Sequence, residues 1–187
     1  MSTQNVKIRK GSLLVSEPMM VDNYFKRSVV LITEKSETGF VGFILNKVVD
    51  IKINEALKQF ESFNHPLYFG GPVQRDTIFY IHTKGEIIEG STIIQKGLYW
   101  GGDFEKVAEM VKANLINESE IKFFIGYSGW EPGQLEGELE SESWIVSEAK
   151  VENVMSGNYK NLWGNVLKNM GNEFALLSNF PEHPQLN

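Results

Sequence analysis

Three local signals follow one another in Ile121-Lys-Phe-Phe-Ile-Gly-Tyr-Ser-Gly-Trp-Glu-Pro-Gly-Gln-Leu-Glu-Gly-Glu-Leu-Glu140. The first is the apolar run Ile121 to Ile125, which is typical of a buried β-strand. The second is the pair Gly126 and Gly129, which predicts a glycine-rich turn after that strand. The third is an acidic helix, whose start is indicated by Pro132 because the first N–H of a helix has no partner in any case. The stretch therefore predicts a strand, a turn and a helix in direct succession.

The predicted helix runs from Pro132 to about Glu140 and has one apolar stripe. Leu135 and Leu139 are spaced i and i+4, so they lie on the same face and can be buried together. Polar and acidic side chains occupy the positions between them. We expect this helix to pack against the rest of the domain through its two leucines.

The remaining chain contains more strand signals than helix signals. Runs rich in Val, Ile and Phe that have the pattern of strands are Ser12 to Ser16, Ser28 to Thr33, Phe40 to Asn46, Leu67 to Phe69, Thr77 to His82, Thr92 to Ile94 and Ile121 to Gly126. Helical spacing occurs at Ile53 to Phe60, at Asp103 to Ala113 with Asp103 as N-cap, and at Tyr159 to Met170 with Gly171 as C-terminal cap. This is too much strand for a helical bundle.

Length and composition limit the classes of protein to be considered. The 187 residues fit a single domain over positions 1–187, since no repeat or low-complexity linker marks a boundary. The 18 basic and 24 acidic residues give a formal charge of −6, which repels phosphate backbones and anionic lipid surfaces. The absence of cysteine excludes disulfides, thiol catalysis and thiolate metal sites.

Both ends of the chain are polar. Met1 to Arg9 lacks the apolar core of a signal peptide, and no run of about eighteen apolar residues occurs anywhere in the sequence. We therefore expect a cytoplasmic protein without a membrane segment. The tail from Asn179 to Asn187 contains two prolines and is predicted to lie loosely on the surface.

Several motifs occur in an order that is typical of one protein family. They are Gly11 to Pro18, Ser28 to Ile32, Gly39 to Asn46, Gly70-Gly71-Pro72-Val73 and Gly126 to Glu138. With these motifs the chain resembles the AlgH/YqgE family of bacterial proteins, from Gly11 to about Gly171. One departure is Val48 after Lys47, where the family usually has a proline, so the rigidity of that turn is not carried over.

The resemblance implies a fold and a site rather than a reaction. The implied fold is a single α+β domain in which a bent, partly barrel-like β-sheet is surrounded by helices. The family is frequently described as transcriptional regulators, and that description has to be weighed against the residues. The only basic cluster near the N-terminus is Lys7, Arg9 and Lys10, and no helix-turn-helix with a basic face is evident. Direct, specific DNA binding is therefore not expected, and regulation would act through a small ligand or a protein partner.

The acidic helix admits a catalytic and a structural interpretation. Glu136 and Glu138 can serve in acid–base chemistry or simply form a solvated helical face. Ser128 does not fit the Gly-x-Ser-x-Gly pattern of a nucleophile elbow, because Trp130 occupies the position of the second glycine. His82 ends a predicted strand, where it can act as a base or as a buried structural donor. The three histidines have no metal-ligand spacing, so no metal site and no cofactor are expected.

The glycine turn also admits two interpretations. It can offer backbone N–H groups to an anion, or it can allow the close approach of two backbones. Trp130 is likewise either a core residue or the wall of a pocket. The residues predicted to line a ligand cleft are Asn46, Gly70, Gly71, Pro72, Ser128, Gly129, Trp130, Gln134 and Glu136.

The sequence thus predicts a regulatory module that binds a small ligand or a protein. The alternative is a carboxylate-assisted hydrolase that uses Glu136 or Glu138 together with His82. The identity of the ligand, the partner and the oligomeric state is not indicated by the residues.

Overall fold

The computed structural model describes residues 7–181 as an α+β domain around one large, mostly antiparallel sheet. The strands are β1 (Ser12–Ser16), β2 (Val29–Ser36), β3 (Gly39–Ile44), β4 (Val48–Lys52), β5 (Pro66–Phe69), β6 (Val73–His82), β7 (Thr92–Gln95), β8 (Leu98–Trp100), β9 (Ile121–Trp130) and β10 (Trp144–Glu148). The helices are α1 (Ile53–Ala56), α2 (Phe104–Lys112), α3 (Gln134–Glu140), α4 (Val151–Met155), α5 (Leu162–Asn169) and α6 (Asn172–Leu177), with short 3₁₀ turns at Lys58–Phe60 and Tyr159–Asn161.

Strand β9 is the centre of the sheet. The strand order is β10-β1-β2-β3-β9-β6-β8-β7, and β4 and β5 are attached beside β9. The first half of β9 pairs in parallel with β5, whereas its second half pairs antiparallel with β3. Strand β6 accompanies β9 on the opposite side. The first half of β9 therefore has a strand on each side, whereas residues 128–130 pair with β3 beyond the register with β6. Seven of the ten residues of β9 are buried.

The sheet is bent so that its two ends approach each other without closing. Leu13 in β1 and Leu98 in β8 belong to the same core cluster, although their strands lie near opposite ends of the order. The side chain of Gln95, in the end strand β7, donates a hydrogen bond of 3.0 Å to the carbonyl oxygen of Ala149, just after β10. A side chain thus bridges the gap that a further strand pair would fill in a closed barrel. The bent, partly barrel-like sheet implied by the family resemblance is confirmed.

The core consists of three clusters of buried side chains. Successive side chains of a strand point to opposite faces. Phe124 packs toward the cluster that includes α5, and Phe123 packs toward the cluster that includes α2. A third cluster lies beneath α3 and contains Trp130 and Leu135. The predicted anchoring of the acidic helix by Leu135 is confirmed, since that side chain is fully buried.

The predicted turn at Gly126 and Gly129 is wrong, because β9 continues through both glycines to Trp130. Gly126 has a φ of +68° and bends the strand without ending it. The predicted helix start at Pro132 is also wrong, since α3 begins at Gln134. Gly133, directly before α3, has a φ of +83° in the left-handed region, so the helical backbone cannot extend back from Gln134 to Pro132.

Smaller differences concern the other helices. The helix predicted from Ile53 breaks after Ala56, and Phe60 belongs to a 3₁₀ turn. Asp103 is the N-cap of α2 as predicted, and its carboxylate accepts the N–H groups of residues 105 and 106. Gly171 separates α5 from α6, a helix that the sequence did not indicate. Of the predicted loose tail, residues 182–187 lie outside the described residues. None of the helices within residues 7–181 combines the length and apolarity needed to cross a membrane.

Candidate functional site

Glu138 is held between two buried tryptophans. Its Oε2 accepts hydrogen bonds from the indole Nε1 of Trp130 at 2.9 Å and of Trp144 at 2.7 Å. Its Oε1 accepts a bond of 3.0 Å from the amide of Gln134. Both indoles are about 95% buried, so the carboxylate satisfies donors that have no access to water. This arrangement ties α3 to β9 and β10, and it occupies both oxygens of the candidate catalytic acid.

Glu136 and His82 do not meet the rest of the predicted catalytic set. Glu136 is exposed on α3, and among residues 7–181 no hydrogen-bond partner for its carboxylate is present. His82 pairs with Ile121 at the opposite end of β9 from Trp130. Nine residues of extended chain separate these ends, which is about 30 Å at the rise of a β-strand. The structure therefore does not assemble a site from His82 and the carboxylates of α3.

His82 has the environment of a structural histidine. Its Nδ1 accepts the backbone N–H of Lys84 at 3.1 Å, and its Nε2 lies 3.0 Å from the carbonyl oxygen of Gly101. A carbonyl can only accept, so Nε2 carries the proton and the ring is neutral. Burial lowers the pKa of His82 below its ordinary value because the imidazolium form loses its hydration. The ring serves to connect β6 with the loop after β8.

The glycine turn and the serine of the predicted cleft do come together. Ser128 is fully buried, and its Oγ donates a hydrogen bond of 3.0 Å to the carbonyl oxygen of Gly70. A Cβ on Gly71 would lie 2.3 Å from the backbone of Tyr127, so only glycine fits there. Pro72 follows in the bend before β6. The geometry favours close backbone approach as the reason for these glycines.

The other members of the predicted cleft are divided between two places. Asn46 accepts the backbone N–H of Val29 at 2.8 Å and donates to the carbonyl oxygen of Arg27 at 2.8 Å. Gly129 lies beside Trp130 in the last part of β9, and Gln134 is bonded to Glu138 on α3. The side chains of Asn46 and Gln134 therefore already have partners within the protein, although Gln134 itself is exposed. Ligand binding by this set stays a prediction.

A pocket that the sequence did not indicate lies near the other end of β9. It has a volume of about 720 Å³ and is situated between β5, the start of β9 and helix α4. Its lining includes His65, Tyr68, Glu118, Lys122, Glu152 and Ser156. We call it the Lys122 pocket. Its volume is within the range of ordinary small-molecule sites.

Lys122 is one of the residues that surround this pocket. It is the second residue of β9 and shares a face with Phe124, so its side chain is directed into the core and is 0% exposed. Its Nζ donates a hydrogen bond of 2.8 Å to the carbonyl oxygen of Ser156 and lies 4.6 Å from the centre of the Tyr68 ring. None of the ion pairs within the described residues involves Lys122. Burial alone lowers the pKa of Lys122 to about 7.

Tyr68 supplies a second buried polar group. It is 0% exposed, and its Oη has no hydrogen-bond partner among residues 7–181. Its ring is packed edge-on against Tyr159 at 5.8 Å and tilted against Phe124 at 5.7 Å. Burial raises the pKa of Tyr68 to about 12, with smaller contributions from Tyr159 and Glu118. The hydroxyl therefore keeps its proton at neutral pH and can donate a hydrogen bond.

His65 completes the polar side of the pocket. Its Nε2 lies 2.9 Å from the carbonyl oxygen of Glu118, which requires the proton on Nε2 and leaves a lone pair on Nδ1. Burial lowers the pKa of His65, and the nearby Glu118 only partly opposes this. At neutral pH the pocket thus contains a neutral imidazole, a protonated phenol and an amine.

One signal in the sequence could have indicated this pocket. Lys122 interrupts the apolar run from Ile121 to Ile125, and a lysine in the middle of a buried strand is rare. His65, Tyr68 and Ser156 have no such signal, because the β5 region with His65 and Tyr68 is far in the chain from both Lys122 and Ser156. Only the folded chain brings these segments together.

Comparison with known proteins gives one consistent result. A family model described as DUF179, AlgH-like, matches residues 13–175. A UPF0301 protein of Chlorobium phaeobacteroides is 42% identical over 181 residues, which cover 97% of each chain. A UPF0301 protein of Cytophaga hutchinsonii is 40% identical over 181 residues, which cover 96% of this chain and 100% of that protein.

Two solved structures have the same fold. The crystal structure of protein DIP2367 from Corynebacterium diphtheriae matches with a TM-score of 0.78 at 26% identity, over 94% of each chain. The solution structure of the AlgH protein from Pseudomonas aeruginosa matches with a TM-score of 0.74 at 25% identity, over 98% of this chain and 100% of that one. The chain therefore belongs to the AlgH-like, UPF0301 family.

Proposed function

We propose that this protein is a small-molecule-binding module and that the Lys122 pocket holds its ligand. The observation that supports this most strongly is the pair of fully buried polar groups, Lys122 and Tyr68, that line the same pocket. A buried hydroxyl without a partner costs free energy, and native proteins rarely contain one without a reason. Both side chains are 0% exposed, so a ligand oxygen that accepts from Tyr68 and Lys122 has to displace part of the pocket wall to reach them.

The proposed role of the module is regulatory and cytoplasmic, and its effect on transcription is indirect. The formal charge of −6 opposes contact with a phosphate backbone. The pocket borders α4 and the segment that follows it, so a bound ligand would alter the surface around Glu152 and Gly157. A protein partner that recognises this surface would then respond to the ligand.

The cleft predicted around Gly70, Ser128 and Trp130 is the second candidate for the ligand site. Its side chains already have internal partners, with Ser128 bonded to Gly70 and Trp130 bonded to Glu138. A ligand would have to replace these bonds rather than complete them. This comparison favours the Lys122 pocket over the predicted cleft.

Hydrolysis by the carboxylates of α3 is not favoured by the geometry. Glu138 is engaged by two indoles, and His82 lies at the far end of β9. A general base has to lie within hydrogen-bond reach of the group that it serves.

A thermal-shift screen with a library of small metabolites tests the proposed function. Gly157 lines the pocket, is exposed, and has no atom within 4 Å of an added Cβ. Gly157→Phe should therefore block the entrance while leaving the fold intact. Gly137→Phe is the matched control, since Gly137 is equally free of contacts but lies on α3.

We expect compounds that raise the melting temperature of the wild type to lose this effect in Gly157→Phe and to keep it in Gly137→Phe. Tyr68→Phe should weaken their binding by about tenfold or less, the equivalent of one hydrogen bond. Compounds that lose their effect in Gln134→Ala but keep it in Gly157→Phe would move the ligand site to the predicted cleft. A library without any stabilising compound would count against the proposed function.

A further inference from the structure

We propose that the free edge of β6 is a docking site for an extended peptide segment of a partner protein, with consecutive apolar residues flanked by lysine or arginine. The site is a groove of about 430 Å³ whose lining includes Asp76, Ile78, Tyr80, Trp100 and Phe104. We call it the β6 groove. It shares no lining residue with the Lys122 pocket, so this proposal does not depend on the proposed function.

The sheet has a gap beside β6. Strand β6 has ten residues, whereas β8 has three and pairs with β6 only at Ile81 and His82. After β8 the chain turns away toward α2 through Gly101 and Gly102, which have φ angles of +67° and +106°. In the part of the chain that the structure describes, the residues of β6 before Tyr80 therefore have no strand on this side.

The backbone of Ile78 is directed into this gap. The N–H of Gly101 donates a hydrogen bond of 3.0 Å to the carbonyl oxygen of Tyr80, so the peptide groups of Tyr80 face the β8 side. Peptide groups along a strand alternate in direction, which places the N–H and C=O of Ile78 on the same side. Across β9, its paired residue Ile125 accepts instead from the N–H of Gly70. Ile78 thus offers one donor and one acceptor, without a described backbone partner, to an added strand.

Both faces beside this edge carry apolar side chains that are only partly buried. Leu57 and Phe104 pack against the core cluster that includes α2, whereas Phe79 and Trp100 pack against the cluster that includes α5. All four side chains line the groove. Successive side chains of an added strand would point to opposite faces and would meet these apolar walls in turn. The groove therefore fits consecutive apolar residues rather than an alternating polar and apolar pattern.

The charge of the groove favours a basic flank on the peptide. Asp76 is exposed and is the only acidic or basic residue among those that line the groove. Asp103 lies directly after the lining residue Gly102, and the whole chain has a formal charge of −6. A lysine or arginine beside the apolar residues would be attracted to this field, whereas an acidic segment would be repelled.

The probe is the peptide acetyl-Lys-Lys-Val-Leu-Val-Lys-Lys-amide, and calorimetry measures its binding to the full chain. A second probe is methylated at the three nitrogens of its apolar residues, so it keeps the side chains and the charge but loses the central N–H donors. We expect it to bind about tenfold more weakly, the equivalent of one hydrogen bond. Asp76→Lys should weaken binding of the first probe by about threefold or more. Asp50→Lys is the matched control, because it makes the same charge change at an exposed position of β4, outside the groove, and should change binding by less than about twofold.

Hydrogen exchange measured by NMR locates the bound peptide. The amide of Ile78 should exchange rapidly in the free protein and about tenfold or more slowly with a saturating concentration of the first probe. The neighbouring Phe79 pairs with Phe124 of β9. Its amide is directed away from the groove, so its exchange should be slow with and without the peptide.

Four results would overturn the proposal. Equal binding of the two probes, or no binding of the first at about 1 mM, would exclude strand addition by a peptide of this chemistry. Equal effects of Asp76→Lys and Asp50→Lys would leave only a general attraction of charge. Unchanged exchange at Ile78 with bound peptide would place the peptide elsewhere. Slow exchange at Ile78 in the free protein would mean that another segment of the chain, or a second copy, already covers this edge.

Discussion

Burial of Lys122 determines the chemistry of its pocket and also opposes folding. In the unfolded chain the amine titrates near its ordinary pKa, whereas burial lowers the pKa to about 7 in the native protein. Between these two values the unfolded state binds more protons than the native state. The contribution of Lys122 to stability therefore becomes more favourable as pH rises from about 7 toward 10.

Lys122→Met should remove this pH dependence. Methionine keeps a long apolar side chain in a buried position and has no charge to desolvate. Between pH 7 and pH 9.5, we expect the free energy of unfolding of the wild type to rise by about 3 kcal/mol more than that of Lys122→Met. Urea denaturation of both proteins at the two pH values measures the difference. An equal pH dependence in wild type and Lys122→Met would mean that the native amine keeps an ordinary pKa.

Glu138 and Glu136 are two carboxylates on one helix with different predicted effects. Glu138→Gln should cost about 1 to 3 kcal/mol, because a neutral amide oxygen accepts the two indole N–H groups more weakly than the carboxylate does and the new NH₂ faces the amide donor of Gln134. Glu136→Gln changes an exposed side chain and should stay within about 0.5 kcal/mol of the wild type. Urea midpoints compare the two variants. A larger loss in Glu136→Gln than in Glu138→Gln would contradict this assignment.

At the scale of elements, β9 shows what the sequence could and could not predict. The apolar run Ile121 to Ile125 identified its first half correctly. The second half was predicted as a turn because Gly126 and Gly129 are typical turn residues. In the structure a Cβ on Gly126 would lie 2.4 Å from the carbonyl oxygen of Gly71. The glycine marks the close approach of two backbones, which is a tertiary contact that no local pattern reveals.

Gly71→Ala should disrupt this contact. Gly71 has a φ of +153°, and an added Cβ would lie 2.3 Å from the backbone of Tyr127, which cannot move without breaking the β6–β9 pairing. We expect a loss of several kcal/mol, comparable to overpacking of a core. Gly137→Ala on α3 should instead stabilise by about 0.5 to 1 kcal/mol, since alanine is the better helix former. A neutral result for Gly71→Ala in thermal denaturation would argue against the tight contact.

The elements that the sequence did not indicate are short or depend on distant partners. Strand β4 is almost fully exposed and has little of the apolar alternation that indicates a strand. Among residues 7–181, strand β10 pairs only with β1, more than 120 residues earlier in the chain, so nothing in its local sequence shows the pairing. Helices α4 and α6 have five and six residues, which is too short for a clear periodic pattern.

At the scale of the whole molecule, the candidate site is a product of topology. The family resemblance indicated the fold, and the local patterns indicated β9 and α3. The pocket combines His65 before β5, Lys122 on β9 and Ser156 after α4. These residues become neighbours only through the parallel pairing of β5 with β9 and the packing of α4 beside them. For that reason the sequence indicated only the predicted cleft, at the other end of β9, and not this pocket.

The charge of the molecule leads to a prediction about DNA. A net formal charge of −6 without a basic helical face should give only weak binding that is independent of sequence. Fluorescence anisotropy with unrelated duplexes at physiological salt should show the same low affinity for each. An operator bound at about 10⁻⁸ M or tighter under those conditions would establish direct regulation instead.

Amide chemical-shift mapping compares the two candidate sites in a single experiment. A compound that stabilises the wild-type protein in the screen is titrated into ¹⁵N-labelled protein, and the perturbed backbone amides are assigned. We predict that the largest shifts occur around the Lys122 pocket, at Ser119, Glu152 and Gly157. Shifts confined to Gly71, Gly129 and Gln134, with the pocket amides unchanged, would contradict a ligand site at Lys122.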